Sequence, residues 1–287
     1  MEGMKSSKID LRHNHGPFDI IGDVHGCISE LKQLLTEMDY CLKDTGDGNY
    51  AVEHPGGRRA IFLGDLVDRG PDIVAVLKLV MGMVNTGRAL CVAGNHDMRI
   101  LRKIREGTVL TSHGSPDWSM LQITEAPAGF REEVRGFLEG LPGHYVLDDG
   151  KLVVAHAGIR EALQGQDSPE MRAIAVCGEI TGKTDEYGLP VRYDWAADYH
   201  GQATVVYGHT PYAQVQRLNN TINLDTGCVF GGKLTAFRYP EGDFVEVKAL
   251  KMYCPPAKPF LPEHAGVSNV TVWPRPFLND GVRRPDA

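Results

Sequence analysis

Short, mostly apolar runs alternate with helical patterns over the first part of the chain. Runs at 18–21, 60–63 and 90–93 are each followed by apolar residues spaced three and four apart. A buried strand reads as a nearly continuous apolar run, whereas an amphipathic helix has a period of 3.6 residues. The alternation therefore predicts consecutive strand–loop–helix units. The helical positions are Leu31, Leu34, Leu35 and Met38, then Val76, Leu77, Val80 and Val84, then Ile100, Leu101 and Ile104.

The pattern changes character after residue 220. Before that point, another amphipathic stretch and two apolar runs continue the alternation, but the last three runs are separated by turns that contain Gly and Pro. Such spacing is typical of an antiparallel meander. Together the patterns predict an α/β fold in which a β-sandwich is flanked by helices (αββα). The helix is marked by Val134, Phe137, Leu138 and Leu141, and the runs lie at 152–155, 203–207, 221–224, 234–238 and 244–248.

The composition is that of an ordinary globular protein, with 287 residues, 42% hydrophobic and 23% charged, which suits a single catalytic domain. The net charge of −7 argues against a protein that coats nucleic acid, because such binding neutralises many phosphates. No apolar run approaches the roughly 20 residues that a membrane helix needs. The polar start lacks the apolar stretch of a secretion signal. We therefore expect a cytoplasmic protein without membrane contact.

The predicted domain boundaries follow changes in composition. Residues 1–16 are expected to be an N-terminal segment, and 17–250 the catalytic domain. Within that domain, a stretch at about 160–200 is rich in Gly, acidic and aromatic residues and is expected to form a cap-like insertion beside the active site. Residues 251–287 hold seven of the seventeen prolines, which favours an extended C-terminal extension or linker over helix.

Side chains suited to metal binding stand beside glycines in five short blocks at the ends of the apolar runs. The blocks are GDVHG (22–26), GDLVDRG (64–70), GNHD (94–97), HAG (156–158) and GHT (208–210). Each block alone is a weak signal, because an Asp or His beside Gly is commonly a turn residue. The carboxyl ends of parallel strands, however, are where α/β sheets build their sites. The ordered set therefore predicts a two-metal phosphoesterase.

The spacing of these side chains indicates how two cations would be shared. Asp23 and His25 are two residues apart, so at an extended strand end both face the same way and can bind one cation. Asp65 is suited to bridging two cations roughly 3.5–4 Å apart. Carboxylates with imidazoles suit Mn, Ni, Fe or Zn better than Ca or Mg, and Mn is the first expectation. The ligands expected to complete the second site are Asn95, His156 and His209.

Four side chains of these blocks are predicted to bind the substrate or to take part in its cleavage. Arg69 offers a planar fork of donors for phosphate oxygens, which Asn95 would also help to hold. His96 would protonate the leaving oxygen, and Asp68 would orient the imidazole ring and favour its charged form. The expected reaction is attack on phosphorus by a metal-activated hydroxide.

The five blocks resemble those of the phosphoprotein phosphatase branch of the calcineurin-like metallophosphoesterases. The resemblance covers about residues 18–250. It implies that Arg69 and His96 contact the phosphate, and that another Arg after the HAG block also binds it. Arg192 is the candidate for that second Arg, with a solvated surface residue as the alternative. The resemblance assigns Asp23, His25 and Asp65 to one metal, and Asp65, Asn95, His156 and His209 to the other.

A closer resemblance is to the phosphatase module of bacterial polynucleotide kinase-phosphatases, and residues 15–22, 178–195 and 219–233 carry it. It implies an RNA-repair phosphomonoesterase that removes a 2′-phosphate, 3′-phosphate or 2′,3′-cyclic phosphate from an RNA end. Kinase and ligase modules would be partners in a parent protein, and this chain carries neither. The alternatives are a protein serine/threonine phosphatase and a dinucleoside tetraphosphate hydrolase. A noncatalytic phosphate-binding scaffold would lack a ligand, and none is missing.

Two further patterns have local alternatives. The stretch 178–184 resembles a P-loop, but it has three residues between its glycines where four are required. Asp225 is expected either to hydrogen-bond a ligand histidine or to serve as a turn carboxylate.

Overall fold

The computed structural model describes residues 8–111 and 117–260, which form two β-sheets packed face to face. Elements are numbered along the chain, and each sheet is given in spatial order. The first sheet has six strands: β1 (Asp10–Leu11), β7 (His144–Leu147), β8 (Leu152–Ala155), β11 (Thr204–Tyr207), β13 (Thr221–Asn223) and β12 (Gln216–Leu218). The second has five: β15 (Asp243–Lys248), β14 (Lys233–Tyr239), β2 (Phe18–Ile21), β5 (Arg59–Phe62) and β6 (Ala89–Cys91).

Helices and two hairpins surround the sheets. The described helices are α1 (Ile28–Glu37), α2 (Ile73–Asn85), α3 (Asn95–Glu106), α4 (Trp118–Glu125), α5 (Phe130–Gly140) and α6 (Pro169–Cys177). Three of these six helices, α1 to α3, are the next element after a strand, as the strand–loop–helix pattern predicts. The hairpins are β3 (Cys41–Gly46) with β4 (Asn49–Glu53), and β9 (Ile180–Thr184) with β10 (Pro190–Arg192).

Alternating strand residues build two sides of the core. Ile20 of β2 and Ile61 of β5 pack between the sheets against Val154 of the six-stranded sheet. The next residues, Ile21 and Phe62, point the other way into a cluster with the helices. Each such fully buried side chain contributes roughly 1.5–3 kcal/mol. The predicted α/β sandwich with helices on its outer faces is therefore confirmed as one domain.

The antiparallel meander predicted after residue 220 is confirmed for its last two strands and wrong for its first. β13 pairs in parallel with β11 in the six-stranded sheet, whereas β14 and β15 form a hairpin in the other sheet. Between them, Gly227 and Gly231 adopt left-handed conformations on either side of a 3₁₀ turn, Cys228–Phe230. This turn carries the chain from one sheet to the other, where β14 pairs antiparallel with β2.

The stretch expected to form a cap contains α6 and the β9–β10 hairpin. Ser168 caps α6 by accepting from the Met171 N–H, and Pro169 takes the first turn, where its missing N–H costs nothing. The P-loop-like sequence 178–184 ends this helix and forms β9, so it does not connect a strand to a helix as a P-loop must.

The two ends of the chain are described in part. Asp10–Leu11, within the predicted N-terminal segment, pairs in parallel with β7. Residues 251–260, the described part of the predicted Pro-rich extension, form no helix or strand, and 1–7 and 261–287 lie outside the described residues. Within 8–111 and 117–260, no helix has the length and apolar character that crossing a membrane requires.

Candidate active site

The five blocks meet at one end of the sandwich. Strands β2, β5 and β6 are parallel neighbours, so the first three blocks follow their carboxyl ends side by side. Strands β8 and β11 are parallel neighbours in the facing sheet, and they deliver the HAG and GHT blocks. The five blocks, which are far apart along the chain, thus form a single cluster in space.

Left-handed backbone conformations aim several of these side chains. Such conformations are costly for residues other than Gly and persist where the surrounding structure holds them. Of the ten described non-Gly residues with positive φ, half belong to the blocks, which indicates loops shaped for a function. They are His25, Asp65, Asp68, Arg69 and His209.

Lone pairs converge where the second metal is predicted. The Nδ1 of His156 lies 2.8 Å from the Leu63 carbonyl oxygen, which can only accept, so Nδ1 carries the proton. Burial lowers the pKa of His156, so the ring is neutral and Nε2 has a free lone pair. That Nε2 lies 3.0 Å from Asn95 Oδ1 and 3.4 Å from Asp65 Oδ1. Three acceptors this close repel one another unless a cation lies among them, so the residues fit a divalent metal.

His209 extends this cluster. Its Nδ1 lies 2.8 Å from Asn95 Oδ1 and 3.1 Å from His156 Nε2. Burial and the neighbouring His156 lower the pKa of His209 well below its usual range. The structure therefore brings together all four residues predicted for this metal, with Asp65 as the member nearest the other site.

His25 and Asp65 mark the other predicted metal position. The His25 Nδ1 donates to the Val67 carbonyl oxygen at 2.7 Å, and Nε2 lies 3.5 Å from Asp65 Oδ2. Burial and the Arg69 charge lower the pKa of His25 to about 3, so this ring is also neutral. The Asp65 carboxylate is buried between the two groups of ligands, with Oδ1 toward His156 and Oδ2 toward His25.

Asp23 of the GDVHG block contacts the GHT block of the facing sheet. Its Oδ2 accepts from the His209 N–H at 3.1 Å, and its Oδ1 is buried without a hydrogen-bond partner among the described residues. Burial, then Asp225 and Asp65, raise the pKa of Asp23. A cation would satisfy the free oxygen and relieve the repulsion. A Cβ on Gly208 would lie 2.2 Å from Asp23 Oδ1, so the glycine of GHT makes room for this carboxylate.

Arg69 contacts His25, which is a predicted ligand of the metal position shared with Asp23 and Asp65. Its guanidinium donates to His25 Nε2 at 2.8 Å and lies 5.1 Å from the centroid of the Phe230 ring. A metal on His25 would use the same lone pair, so the guanidinium and the metal compete for it. The predicted contact of Arg69 with phosphate stays a prediction.

His96 and Asp68 are brought together beside this position. The His96 Nδ1 lies 2.5 Å from Asp68 Oδ2, and the His96 ring packs edge-on to His25. Burial raises the pKa of Asp68, but the hydrogen bonds from His96 and Arg99 outweigh it and keep the carboxylate ionised. An ionised carboxylate beside Nδ1 orients the ring. The geometry suits the predicted proton donor.

Two residues that hold Asp68 were missed from the sequence. Arg99 donates through both Nε and a terminal nitrogen to Asp68, and the Ser119 hydroxyl donates to Asp68 Oδ1 at 2.6 Å. Arg99 follows His96 by three residues on α3, a spacing that places both on one helix face and was a usable signal. Ser119 lies on α4, which the apolar pattern did not reveal.

Arg192 and Asp225 each have two alternative roles predicted from the sequence. Arg192, at the end of β10, lines a pocket that also reaches His209, which places it beside the metal cluster. The Asp225 carboxylate accepts from the Gly227 N–H at 3.1 Å, as a turn carboxylate does. Burial raises the pKa of Asp225 to about 6.

Comparisons with known proteins agree with this geometry. Residues 16–245 match the sequence profile of the family described as calcineurin-like phosphoesterase. The bis(5'-nucleosyl)-tetraphosphatase PrpE [asymmetrical] of Anoxybacillus flavithermus is 40% identical over 82% of this chain and 96% of its own length. The protein of that name from Bacillus subtilis is 38% identical over 82% and 96%.

A solved structure is also similar. It is the crystal structure of a protein provisionally named a diadenosine tetraphosphatase, with a TM-score of 0.61 and 26% identity over 84% of this chain and 97% of that one. The curated relatives reported above carry no polynucleotide kinase-phosphatase name, so the closer resemblance predicted from the sequence is not supported. The chain is a metal-dependent hydrolase, and it belongs to the calcineurin-like phosphoesterase family.

Proposed function

We propose that this chain hydrolyses dinucleoside 5′,5′-tetraphosphates asymmetrically, giving a nucleoside triphosphate and a nucleoside monophosphate. One observation carries the proposal: relatives named asymmetrical tetraphosphatases match the chain at about 40% identity over 96% of their own length. The proposal takes up the alternative that the sequence left open. Support from the geometry comes from the cluster of predicted metal ligands and the adjoining pocket.

Two divalent metals would be held by the residues that converge at the strand ends. One would be bound by Asp23, His25 and Asp65, and the other by Asp65, Asn95, His156 and His209. Mn²⁺ is the first candidate, and Ni²⁺, Fe²⁺ and Zn²⁺ suit the same ligands. When bound, such metals supply positive charge that stabilises the phosphate oxygens. They also lower the pKa of a metal-bound water to about 7.

The remaining side chains would act on the phosphate and the leaving group. Arg69 and Arg192 would bind non-bridging oxygens, with Asn95 alongside. His96, held by Asp68, would give its proton to the departing oxygen. In a tetraphosphate that oxygen belongs to a triphosphate, which leaves more readily than an alkoxide. The reaction is therefore less dependent on His96 than hydrolysis of an alkyl phosphate would be.

The test compares three substrates under one concentration of Mn²⁺. Diadenosine tetraphosphate, an oligoribonucleotide 3′-phosphate and a phosphoserine peptide are each assayed for kcat/KM, with products separated by ion-exchange chromatography. We expect diadenosine tetraphosphate to be cleaved fastest and to give ATP and AMP in equal amounts. A faster reaction with the RNA end would restore the repair function, and a faster reaction with the peptide would make the chain a protein phosphatase. Equal release of two ADP molecules would contradict the asymmetry.

A further inference from the structure

A pocket of about 330 Å³ opens beside the metal cluster. One wall is the β9–β10 hairpin with the residues that follow it, and the opposite wall is formed by His209 and its neighbours after β11. The volume is at the lower end of the roughly 300–1,000 Å³ typical of small-molecule sites. The pocket thus has room for one ring system and its sugar, and it reaches a predicted metal ligand.

Aromatic rings form much of the pocket lining. Tyr193, Trp195, Tyr207 and Tyr212 all contribute to it. The Trp195 and Tyr207 rings are 4.9 Å apart in an edge-to-face arrangement, so each fixes the other, whereas Tyr193 is 37% exposed. Aromatic side chains bind nucleobases by stacking, at about 1–3 kcal/mol per base. The lining therefore suits a planar heterocycle.

The aromatic wall is built onto the metal-binding blocks. A Cβ on Gly158 would lie 1.9 Å from Trp195 Cζ2, so the glycine of the HAG block gives the indole its place two residues after His156. Tyr207 precedes the GHT block directly. A ring held in this pocket is consequently fixed relative to the predicted metal position.

Polar groups complete the pocket in a way that suits a nucleoside. Asp194, Asn223 and Thr210 lie among the lining residues, and they offer acceptors and donors for ribose hydroxyls or base edges. Arg192 lies on the same wall and carries a positive charge for phosphate. Lys258 of the C-terminal segment reaches the rim, where its ammonium lies 3.0 Å from Asp185 Oδ2 of the hairpin.

We propose that this pocket binds one nucleoside of the tetraphosphate, namely the nucleoside bonded to the phosphorus that water attacks. The inference rests on the proposed function. His209 lines the pocket and is also a predicted metal ligand. A nucleoside in the pocket would therefore place its own α-phosphorus nearest to the predicted metal ligands. The water oxygen then bonds to that phosphorus, and the bond from it to the bridging oxygen breaks. The triphosphate leaves with the bridging oxygen and takes up the proton, so the pocket accounts for asymmetrical cleavage.

The first test is the position of the solvent oxygen. Hydrolysis of diadenosine tetraphosphate in ¹⁸O-labelled water should place the label in AMP, and mass spectrometry of both products detects it. Label in the terminal phosphate of ATP would mean that the neighbouring phosphorus is attacked, and this would overturn the proposed placement. Either result leaves the activity itself established.

The second test asks whether the pocket recognises the nucleoside. Tyr193→Ala should lower kcat/KM for diadenosine tetraphosphate about tenfold, because a stacking contact of this size is lost, while turnover of glycerol phosphate, which has no ring to stack, stays within twofold. Tyr193→Phe should restore the activity. Tyr187→Ala is the matched control, because Tyr187 lies on the same hairpin, is 50% exposed and does not line the pocket. Equal losses of activity on both substrates in Tyr193→Ala, or an equal loss in Tyr187→Ala, would contradict the proposal that this pocket binds the nucleoside.

Binding of AMP separates this inference from the proposed function. Quenching of tryptophan fluorescence by AMP is measured in the wild type and in Tyr193→Ala, with Mn²⁺ present. Tyr193-dependent binding without tetraphosphate cleavage would support the pocket and reject the tetraphosphatase function. Cleavage with AMP binding that is independent of Tyr193 would keep the function and reject the pocket.

Discussion

The Nδ1 of His96 lies 2.5 Å from Asp68 Oδ2, and this contact fixes which ring nitrogen can face the substrate. Since Asp68 is ionised and accepts at Nδ1, a proton given to the substrate would come from Nε2. The ring also packs edge-on to His25, beside the first predicted metal. His96 is therefore placed to protonate an oxygen that leaves from that side of the cluster.

This geometry predicts that the effect of His96→Ala depends on the leaving group. Phenyl phosphate releases a basic phenoxide and should lose about 10²–10⁴-fold in kcat, the range for removal of a general acid. Nitrophenyl phosphate releases a much weaker base and should lose far less. Steady-state kinetics on the two esters measures the difference. Equal losses would count against His96 as the acid and would assign it to binding.

Arg99 is predicted to act only through Asp68 and His96. Arg99→Ala removes two donors from Asp68 and should lower kcat for phenyl phosphate about tenfold, an effect of about 1.4 kcal/mol. In a His96→Ala background the same substitution should cost almost nothing, because the group that it positions is gone. The kinetic double-mutant cycle measures this coupling.

The matched control for Arg99 is Arg102→Ala. Arg102 lies one turn further along α3, is largely exposed, and makes a 3.8 Å contact with Glu106. Its replacement should leave kcat unchanged. Full additivity of Arg99→Ala and His96→Ala would mean that Arg99 serves the fold and not the proton donor.

The metal-binding blocks could be predicted because each is short and follows its strand directly. Asp23 and His25 come two and four residues after the end of β2, and Asp65 comes three residues after the end of β5, so the local sequence pattern was enough to predict that they meet. The contacts that complete the site are not local. Ser119 reaches Asp68 from 51 residues away, and no periodicity in the sequence records such a pairing.

Two asparagines of the 219–233 stretch, which contributed to the expectation of an RNA-end substrate, support the fold. Asn219 donates to the Ala196 carbonyl oxygen at 2.8 Å, and Asn220 donates to that of Gly201 at 2.8 Å. Both asparagines therefore anchor the base of the cap stretch. A likeness in these two residues reports how the chain packs there and not which substrate it takes.

Metal binding is predicted to stabilise the folded chain through Asp65. Saturating Mn²⁺, at a hundred times its dissociation constant, should add about 2.7 kcal/mol for a single site that exists only in the folded state. Asp65→Asn should abolish most of this gain, because the carboxylate lies in both ligand groups. The difference in Tm with and without Mn²⁺ measures it.

His15→Asn is the control for the metal experiment. His15 belongs to a separate, surface group of metal-type side chains with Asp148 and Asp149. The variant should keep the wild-type gain in Tm. If the gain were lost in His15→Asn and kept in Asp65→Asn, the metal that stabilises the chain would lie at the surface and not at the strand ends.

The buried imidazole of His144 predicts a loss of stability in acid that is independent of the metals. Its Nε2 accepts from the Gly165 N–H at 2.9 Å, and burial lowers the pKa of His144 to about 4, below the roughly 6.5 of an unfolded chain. As pH falls below 6.5 the unfolded state takes up a proton first, so unfolding becomes more favourable until the native ring also titrates. Between pH 7 and pH 5 this one group should lower the free energy of unfolding by about 2 kcal/mol.

His144→Gln tests this, because the variant keeps an acceptor at the same place and does not titrate. Urea unfolding with a chelator present should show that the free energy of unfolding falls less in the variant than in the wild type, by about the same amount. Equal losses in the two proteins would mean that His144 is protonated as readily in the folded state as in the unfolded one.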